Sequence, residues 1–191
     1  MPGRQAKTLA VDTVHRTLIA ISRRRRSLRD KVILLLSLRA GLRACEIAGL
    51  EWDMLVDANG RLGHAVFIPD RIAKLRSGRR VPMHPELRAA LQALRRTTPK
   101  TGPVILSARG GKLRANSVVN WFVTLYAEVG ADGCSSHSGR RTFITTMARN
   151  TQRAGASLRD VQLLAGHKSI SVTQGYIDGD SDAQRRLVSY L

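Results

Sequence analysis

Four segments of the sequence carry cationic, imidazole or phenolic side chains at spacings that suit chemistry on a phosphate. In the first, Arg43 follows Gly41 and Leu42, and Glu46 lies three residues further on, so the two side chains can meet on one helix face. An arginine held by a glutamate is oriented in advance, and its planar guanidinium matches two phosphate oxygens. The pattern indicates a phosphate clamp, although a plain ion pair on a helix surface would share it.

The second and third segments add a lysine, a histidine and another arginine. Lys74 lies beside the predicted turn at Ser77 and Gly78, where it can give a proton to a leaving alkoxide or lie in solvent. His137 and Arg140 are three residues apart across a predicted helix start, where free N–H groups and the helix dipole favour an anion. A histidine that makes only a local hydrogen bond at the helix cap is the alternative.

The fourth segment ends in a tyrosine. His167 follows Gly166 at a predicted helix end, and Tyr176 comes nine residues after His167. Taken alone, Tyr176 has the signature of a half-buried ring with its hydroxyl at the surface. Tyr126 lies among apolar residues and is predicted to be core, and Tyr190 is predicted to pack or to belong to a tail.

The charge of the chain predicts its partner. The 191 residues include 32 Lys and Arg against 14 Asp and Glu, which gives a formal net charge of +18. Because neutralising phosphates releases condensed counterions, nucleic acid is the expected partner. The chain contains no H-E-x-x-H motif, no Gly-rich phosphate loop and too few acids for a two-metal nuclease. We therefore expect neither a metal nor a cofactor.

The remaining composition predicts a cytoplasmic protein, which its charge associates with nucleic acid. Cys45 and Cys134 belong to no C-x-x-C pair and cannot form a disulfide framework. No apolar run has the roughly 18 residues of a membrane span, and the N-terminus lacks the apolar stretch of a secretion signal.

The hydrophobic pattern predicts a mainly α fold with a small antiparallel β-sheet. A buried helix spans Lys31 to Arg39 and is broken at Gly41, and a short helix follows from Arg43 to Leu50. Two or three strands lie between Asp53 and Met83. Further helices are predicted at Pro85 to Arg96, Asn116 to Val129, Ser138 to Asn150, after the cap Ser157, at Ser169 to Ile177, and from Asp180 or Ser181 to the C-terminus; PVILS, from Pro103, is predicted to be extended.

Together and in this order, the segments resemble the catalytic domain of the tyrosine recombinases, the phage integrase family. The matching stretches are GLRACEIAGLEW, KLRSGRRVP, HSGRRTF, LAGH and TQGY, and the resemblance runs from Leu28 to Tyr176. It implies the tyrosine recombinase, or DNA breaking-rejoining, fold. Two positions depart from the family pattern: Ala165 opens the glycine-histidine box, and Arg141 stands where the family often has a histidine.

The resemblance also implies roles for individual residues. Tyr176 is expected to attack the scissile phosphorus and form a 3′-phosphotyrosine link, which conserves bond energy so that rejoining needs no ATP. Arg43 and Arg140 are expected to bind the non-bridging oxygens, and Glu46 to support Arg43.

Three further groups complete the implied catalytic set. His137 is expected to assist proton movement at the tyrosine, His167 to hydrogen-bond the phosphate, and Lys74 to protonate the departing 5′ oxygen. The remaining cations of these segments and of the N-terminal arginine run are expected to contact DNA or, in the run, to lie in solvent. They are Arg23, Arg24, Arg25, Arg26, Arg76, Arg79, Arg80 and Arg141.

These observations predict a site-specific recombinase that acts on double-stranded DNA as a homotetramer and is a monomer in solution. Residues 1–26 are expected to be a basic extension and 27–191 the catalytic domain, without a separate N-terminal core-binding domain. A single-domain recombinase, a catalytic fragment and a remnant are all compatible with this division. The segment after Ile177 is expected to form a helix that docks either on a neighbouring subunit or on its own domain.

Two other activities fit the same residues. A relative that keeps the fold can bind DNA without turnover, and tyrosine chemistry without strand exchange would relax supercoils as a topoisomerase does.

Overall fold

Eight α-helices and a two-stranded sheet make up the part of the chain that this computed structural model describes, residues 6–176, 185 and 188–190. Three short 3₁₀ turns join them, at Trp52–Met54, Lys74–Arg76 and Gln152–Ala154. The elements are α1 Val11–Ser22, α2 Ser27–Ala40, α3 Ala44–Gly49, β1 Ala65–Ile68, β2 Arg79–Pro82, α4 Pro85–Arg95, α5 Ala115–Glu128, α6 Ser138–Arg149, α7 Leu158–Ala165 and α8 Ile170–Gln174. The predicted mainly α fold with a small antiparallel sheet is confirmed.

Helix α2 is the centre of the core. It packs against α1, α3, α4 and α6, and the five residues from Val32 to Leu36 are fully buried. A helix that is apolar on every side must be covered on every side, which explains why its sequence, KVILLLSLR, shows no amphipathic pattern. The predicted break after Ala40 is confirmed, because Gly41 ends α2 in the left-handed region with a φ of 63°.

Helix α5 buries only part of the apolar face that helical spacing in its sequence predicts, which is Val119, Phe122, Val123 and Tyr126. Its core positions are Val118, Phe122, Leu125 and Tyr126, whereas Val123 is 54% exposed. Phe122 and Tyr126 are thus confirmed as core positions, whereas Val118 and Leu125 are buried in place of Val119 and Val123. Helical spacing allows both stripes, and the packing of α5 on α3 and α1 selects the one that carries Leu125.

The sheet is a single antiparallel pair. Ala65 lies opposite Pro82 and Ile68 opposite Arg79. Val66, Ile68 and Val81 point into the core, and Phe67 and Arg80 point outward, as the two-residue period of a strand requires. The predicted extended segment from Pro103 makes isolated bridges, from Pro103 to Glu51 and from Leu106 to Lys112.

The last third of the chain follows its predicted caps. Ser157 caps α7 as predicted, and it forms a capping box with Asp160, with the backbone N–H of Ser157 donating to Asp160 at 2.8 Å. Ser169 caps α8. The helix predicted from Asp180 or Ser181 lies outside the described residues. Among the described helices, none has the length and apolarity needed to cross a membrane.

The boundary expected between a basic extension and the catalytic domain falls in the loop between α1 and α2. Helix α1 packs against α2 and α5. Residues 11–22 therefore contribute to the packed body of the molecule, with Ile21 fully buried.

We predict that Gly41→Ala destabilises the protein by about 2 kcal/mol or more, as measured by urea unfolding. A Cβ at Gly41 would overlap the ring of Phe143 and adopt a positive φ. Left-handed backbone costs a non-glycine residue about 1–2 kcal/mol, and overpacking a core costs about 1–3 kcal/mol.

Gly60→Ala is the matched control. Gly60 also has a positive φ, of 69°, but a Cβ there meets nothing within 4 Å, so only the backbone cost of about 1 kcal/mol applies. Equal losses for the two variants would show that Phe143 does not pack against Gly41 in solution.

Candidate active site

The side chain of Arg140 joins two helix ends. Arg140 lies in the first turn of α6 and is buried. Its Nη1 donates a hydrogen bond of 2.5 Å to the carbonyl oxygen of Gly41, and its Nη2 donates one of 2.7 Å to that of Ala165. Both carbonyls stand at helix C-termini, of α2 and α7, where the dipole carries partial negative charge. The packing of three helices thus fixes this guanidinium.

The buried carboxylate of Glu46 forms ion pairs with two more arginines, Arg43 and Arg79. Glu46 on α3 is 0% exposed, and Nη1 and Nη2 of Arg79 donate to its two oxygens at 2.9 Å each. Arg43 donates to it from its backbone N–H at 2.8 Å and from Nη1 at 3.0 Å. Burial acts to raise the pKa of Glu46, but the hydrogen bonds and charges of Arg79 and Arg43 outweigh it and lower that pKa. Glu46 is therefore a charged counter-ion at neutral pH.

These contacts bring together three arginines, Arg43, Arg79 and Arg140, which we call the arginine cluster. Burial, together with the charges of Arg43 and Arg79, lowers the pKa of Arg140 to about 10. Arg140 is therefore still cationic at neutral pH. The cluster holds positive charge in an interior that strongly favours any anion able to reach it.

Arg79 lies inside the protein, whereas the sequence predicted it among the arginines that contact DNA. Its side chain is 4% exposed, and its Nε donates to the carbonyl oxygen of Leu164 at 2.9 Å. Strand alternation is the physical reason, since Arg79 and Val81 share the buried face of β2. A guanidinium held by Glu46 and Leu164 in the interior cannot lie against a phosphate backbone at the surface. Its neighbour Arg80 is exposed.

His167 is held through both ring nitrogens and its backbone. Its Nε2 lies 3.1 Å from Nη2 of Arg140, and its Nδ1 lies 3.0 Å from Oγ1 of Thr173. Gln162 donates to its carbonyl oxygen at 2.9 Å, which fixes the turn after α7. Partial burial, together with the charges of Arg140 and Arg43, lowers the pKa of His167 to about 4. The imidazole is therefore neutral at neutral pH.

Tyr176 lies against this histidine. The two rings stack at 5.5 Å between centroids and 23° between planes, and the guanidinium carbon of Arg141 lies 5.4 Å from the centre of the tyrosine ring. The half-buried tyrosine lines a cleft of about 410 Å³ together with His137, Arg140 and Arg141. Arg141, predicted to contact DNA, thus lies over the ring of the predicted nucleophile.

His137 and Lys74 approach the same region from two loops. His137 is exposed at the N-terminus of α6, where partial burial and the charges of Arg140, Arg43 and Lys74 lower its pKa. Lys74 is exposed in the hairpin turn, near enough to His137 for its charge to act on that ring. The two residues after it, Leu75 and Arg76, have φ values of 61° and 51°, a conformation that side chains rarely adopt and that often occurs at functional loops.

The arginine run lies far from this cleft. Residues 23–26 precede α2, whose 14 residues span about 21 Å before Gly41 reaches Arg140. Arg24 pairs with Glu128 and Asp30, and its guanidinium lies 5.9 Å from the centre of the Trp121 ring. Arg26 donates to the carbonyl oxygen of Ala108 at 3.1 Å. Arg24 and Arg26 therefore tie loops together, while Arg23 and Arg25 are exposed.

None of the predicted catalytic residues lines a second, larger cleft. It has a volume of about 740 Å³ and lies beside the sheet, where Asp53, His64, Phe67 and Arg80 are among its lining residues. A long polyanion lies across a surface, so the size of a cleft is a poor guide to its binding site. Within residues 6–176, no group of three or more His, Cys, Asp or Glu side chains could hold a metal ion.

Sequence reasoning missed three contacts around the site. The alternation of RRVP with its buried Val81 was a signal that Arg79 must face inward. Gln162 and Thr173 gave no comparable signal, because a buried hydrogen bond to a histidine depends on packing between α7 and α8.

We predict that Arg79→Met destabilises the protein by about 3 kcal/mol in urea unfolding, because it removes the bidentate partner of a fully buried carboxylate. The double variant with Glu46→Gln should lose less than Arg79→Met alone, since it leaves no uncompensated buried charge.

Arg71→Met is the surface control. Arg71 pairs with Glu51 at 3.3 Å, but its side chain is 53% exposed, so we expect a loss below about 1 kcal/mol. A similarly small loss for Arg79→Met would mean that Glu46 is solvated in solution.

Comparison with known proteins assigns the chain to a family. The model of the phage integrase family matches residues 7–182. Tyrosine recombinase XerC of Lactobacillus delbrueckii subsp. bulgaricus is 30% identical over 152 residues, which are 78% of this chain and 50% of that protein. Tyrosine recombinase XerC of Brucella suis biovar 1 is 32% identical over 167 residues, 85% of this chain and 49% of that one. The chain thus spans about half the length of the curated relatives it matches.

Solved structures share the fold. The crystal structure of XerA recombinase aligns with all of this chain and 65% of its own, with a TM-score of 0.75 at 22% identity. The integrase from mycobacterium phage Brujita aligns with 97% of this chain and 57% of its own, with a TM-score of 0.64 at 26% identity. A lambda integrase dimer bound to a COC′ core site covers 92% of this chain and 49% of its own, with a TM-score of 0.71 at 19% identity. Since the family model matches nearly the whole chain, this protein belongs to the phage integrase family and has the fold of a tyrosine recombinase catalytic domain.

Proposed function

We propose that this chain cleaves and rejoins double-stranded DNA in site-specific recombination, with Tyr176 as the nucleophile of a 3′-phosphotyrosine intermediate. The observation that carries the proposal is the stack of Tyr176 on His167, because His167 in turn hydrogen-bonds Arg140 of the arginine cluster. A phenol held next to buried cations can attack a phosphate ester whose developing charge those cations stabilise.

In this mechanism the arginines act on the phosphate. Arg140 and Arg43 bind the non-bridging oxygens of the scissile group, and Glu46 keeps Arg43 oriented through its 3.0 Å hydrogen bond. Two planar guanidinium groups match the charge of a pentacoordinate phosphorus and need no metal ion to do so. His167 contributes a further hydrogen bond to the phosphate.

Two groups move protons. Partial burial and nearby cations lower the pKa of His137, so this imidazole is neutral at neutral pH and can accept the phenol proton of Tyr176. Lys74, on the strained hairpin turn, gives a proton to the departing 5′ oxygen. The same groups act in reverse when the 5′ hydroxyl attacks the phosphotyrosine, so rejoining requires no ATP.

Duplex DNA is the proposed partner. The formal net charge of +18 supports a polyanion. Family members in solved structures are described as complexes with DNA, among them the lambda integrase dimer on its core site. We also propose that the protein is a monomer in solution and a homotetramer on DNA, with residues 27–191 as the catalytic domain and α1 packed against it.

We predict that the protein forms a covalent adduct with nicked suicide duplexes that carry its candidate site, chosen by a search of the DNA around its gene for inverted repeats. On a denaturing gel the adduct should form with wild-type protein and be abolished by Tyr176→Phe, which removes the attacking oxygen. Tyr190→Phe is the control, because Tyr190 is 86% exposed and has no proposed role.

The other activities are outcomes of the same assay. Specific binding without an adduct would leave a protein that binds DNA only. An adduct that relaxes supercoiled plasmid without forming four-way junctions would indicate topoisomerase-like turnover. Adduct formation by Tyr176→Phe would assign the nucleophile elsewhere.

We also predict that the double variant Arg23→Gln/Arg25→Gln weakens binding to all duplex sequences alike. Each lost phosphate contact should flatten the slope of log K against log salt by about 0.9. Fluorescence anisotropy across a salt series measures both effects.

Arg16→Gln is the control for lost charge, since Arg16 is already paired with Asp12 at 2.9 Å. If the double variant keeps the wild-type salt slope, Arg23 and Arg25 lie off the DNA.

A further inference from the structure

The hydrogen bonds of His167 define its tautomer. A guanidinium can only donate hydrogen bonds, so Nε2 of His167, 3.1 Å from Nη2 of Arg140, is an acceptor in the structure. The pKa of about 4 makes the ring neutral, and a neutral imidazole carries one proton. That proton is on Nδ1, which donates to Oγ1 of Thr173 at 3.0 Å.

This tautomer does not suit the role that the proposed function gives to His167. A hydrogen bond from Nε2 to a phosphate oxygen requires a proton on Nε2, and Nδ1 would then need a donor. Among uncharged side chains, a hydroxyl can both accept from Nδ1–H and donate to a bare Nδ1. Thr173 therefore satisfies Nδ1 in either tautomer, which an obligate donor or acceptor could not do.

Thr173 is itself rigidly placed. It is fully buried in α8, and its carbonyl oxygen accepts the backbone N–H of Tyr176 at 3.1 Å. The turn that holds the nucleophile and the hydroxyl that holds the histidine therefore belong to one residue. Gln162 fixes the backbone of His167, and the hydrogen bonds that orient its ring are those with Thr173 and Arg140.

We propose that Thr173 is a positioning residue that anchors Nδ1 of His167 and keeps this anchor when the proton changes nitrogen on DNA binding. When a phosphate oxygen replaces Nε2 of His167 as the acceptor of Nη2 of Arg140, His167 takes up a proton from water at Nε2 and returns its Nδ1 proton to water. The hydroxyl of Thr173 rotates from acceptor to donor, and the net charge is unchanged. The second half of this proposal rests on the proposed function; the first concerns the free protein.

The free protein tests the first half by ¹⁵N NMR of its histidine rings. We expect His167 to carry its proton on Nδ1, with a slowly exchanging Nδ1–H signal. Thr173→Val should abolish that signal, because the acceptor is gone, and Thr173→Ser should retain it. Thr17→Val is the matched control. Thr17 is as buried as Thr173, but it lies in α1, where its hydroxyl donates to the carbonyl oxygen of Thr13.

The second half is tested with DNA. In the non-covalent complex of Tyr176→Phe with the target duplex, we expect the proton of His167 on Nε2. Thr173→Val should form the covalent adduct about tenfold more slowly, the size of one lost hydrogen bond, with an unchanged Kd for DNA. Thr173→Ser should restore the rate, which a purely structural role for the buried methyl group would not predict.

A proton on Nε2 in the free protein would overturn the proposal, as would a Thr173→Val variant with its Nδ1–H signal and cleavage rate intact. If Thr173→Val does not fold, the wild-type tautomer and the Thr173→Ser variant still decide. If the wild type forms no adduct at all, the proposed function fails, but the tautomer of the free protein still tests the anchor.

Discussion

The site depends on one fully buried carboxylate in a strongly basic chain. Arg43 and Arg79 share the two oxygens of Glu46, so a single negative charge compensates two positive ones. A lone charge in that interior would be far too costly, whereas a charge that is paired and fully hydrogen-bonded is tolerated. The two arginines differ in burial, because Arg79 holds the carboxylate inside the protein, whereas the side chain of Arg43 is partly exposed.

Backbone carbonyls supply the negative charge that acidic residues do not. Arg140 is compensated by the carbonyl oxygens of Gly41 and Ala165, at the C-terminal ends of α2 and α7. Left-handed glycines follow both helices, with φ values of 63° at Gly41 and 65° at Gly166, so both helices end abruptly and leave their last carbonyls unpaired within the helix. The two glycines therefore both turn the chain and aim helix dipoles at one guanidinium.

The local parts of this arrangement were predictable from the sequence and the long-range parts were not. The break at Gly41, the start of α4 at Pro85 and the cap at Ser157 each follow from neighbouring residues. The buried position of Arg79 was also within reach, because a strand that buries Val81 must bury the residue two positions before it. The bond from Arg140 to Gly41 spans 99 residues, and the stripe that α5 buries depends on which helices cover it. Such features are settled by packing, on which sequence spacing carries no information.

The hydrogen bonds of the arginine cluster explain how its positive charges can be buried together in the free protein. Arg140 already has neutral partners that can be exchanged, two carbonyl oxygens and an imidazole, while Glu46 continues to hold Arg43 and Arg79. In the proposed reaction, a phosphate that enters the cleft replaces the neutral acceptors of Arg140 with charged ones, and hydrogen bonds to a charged acceptor are about twice as strong. The guanidinium groups would then already lie near the geometry that the proposed transition state requires, so that little reorganisation is needed when charge develops there. The hydrogen bonds that stabilise the buried arginines in the free protein would therefore also position them for the proposed reaction.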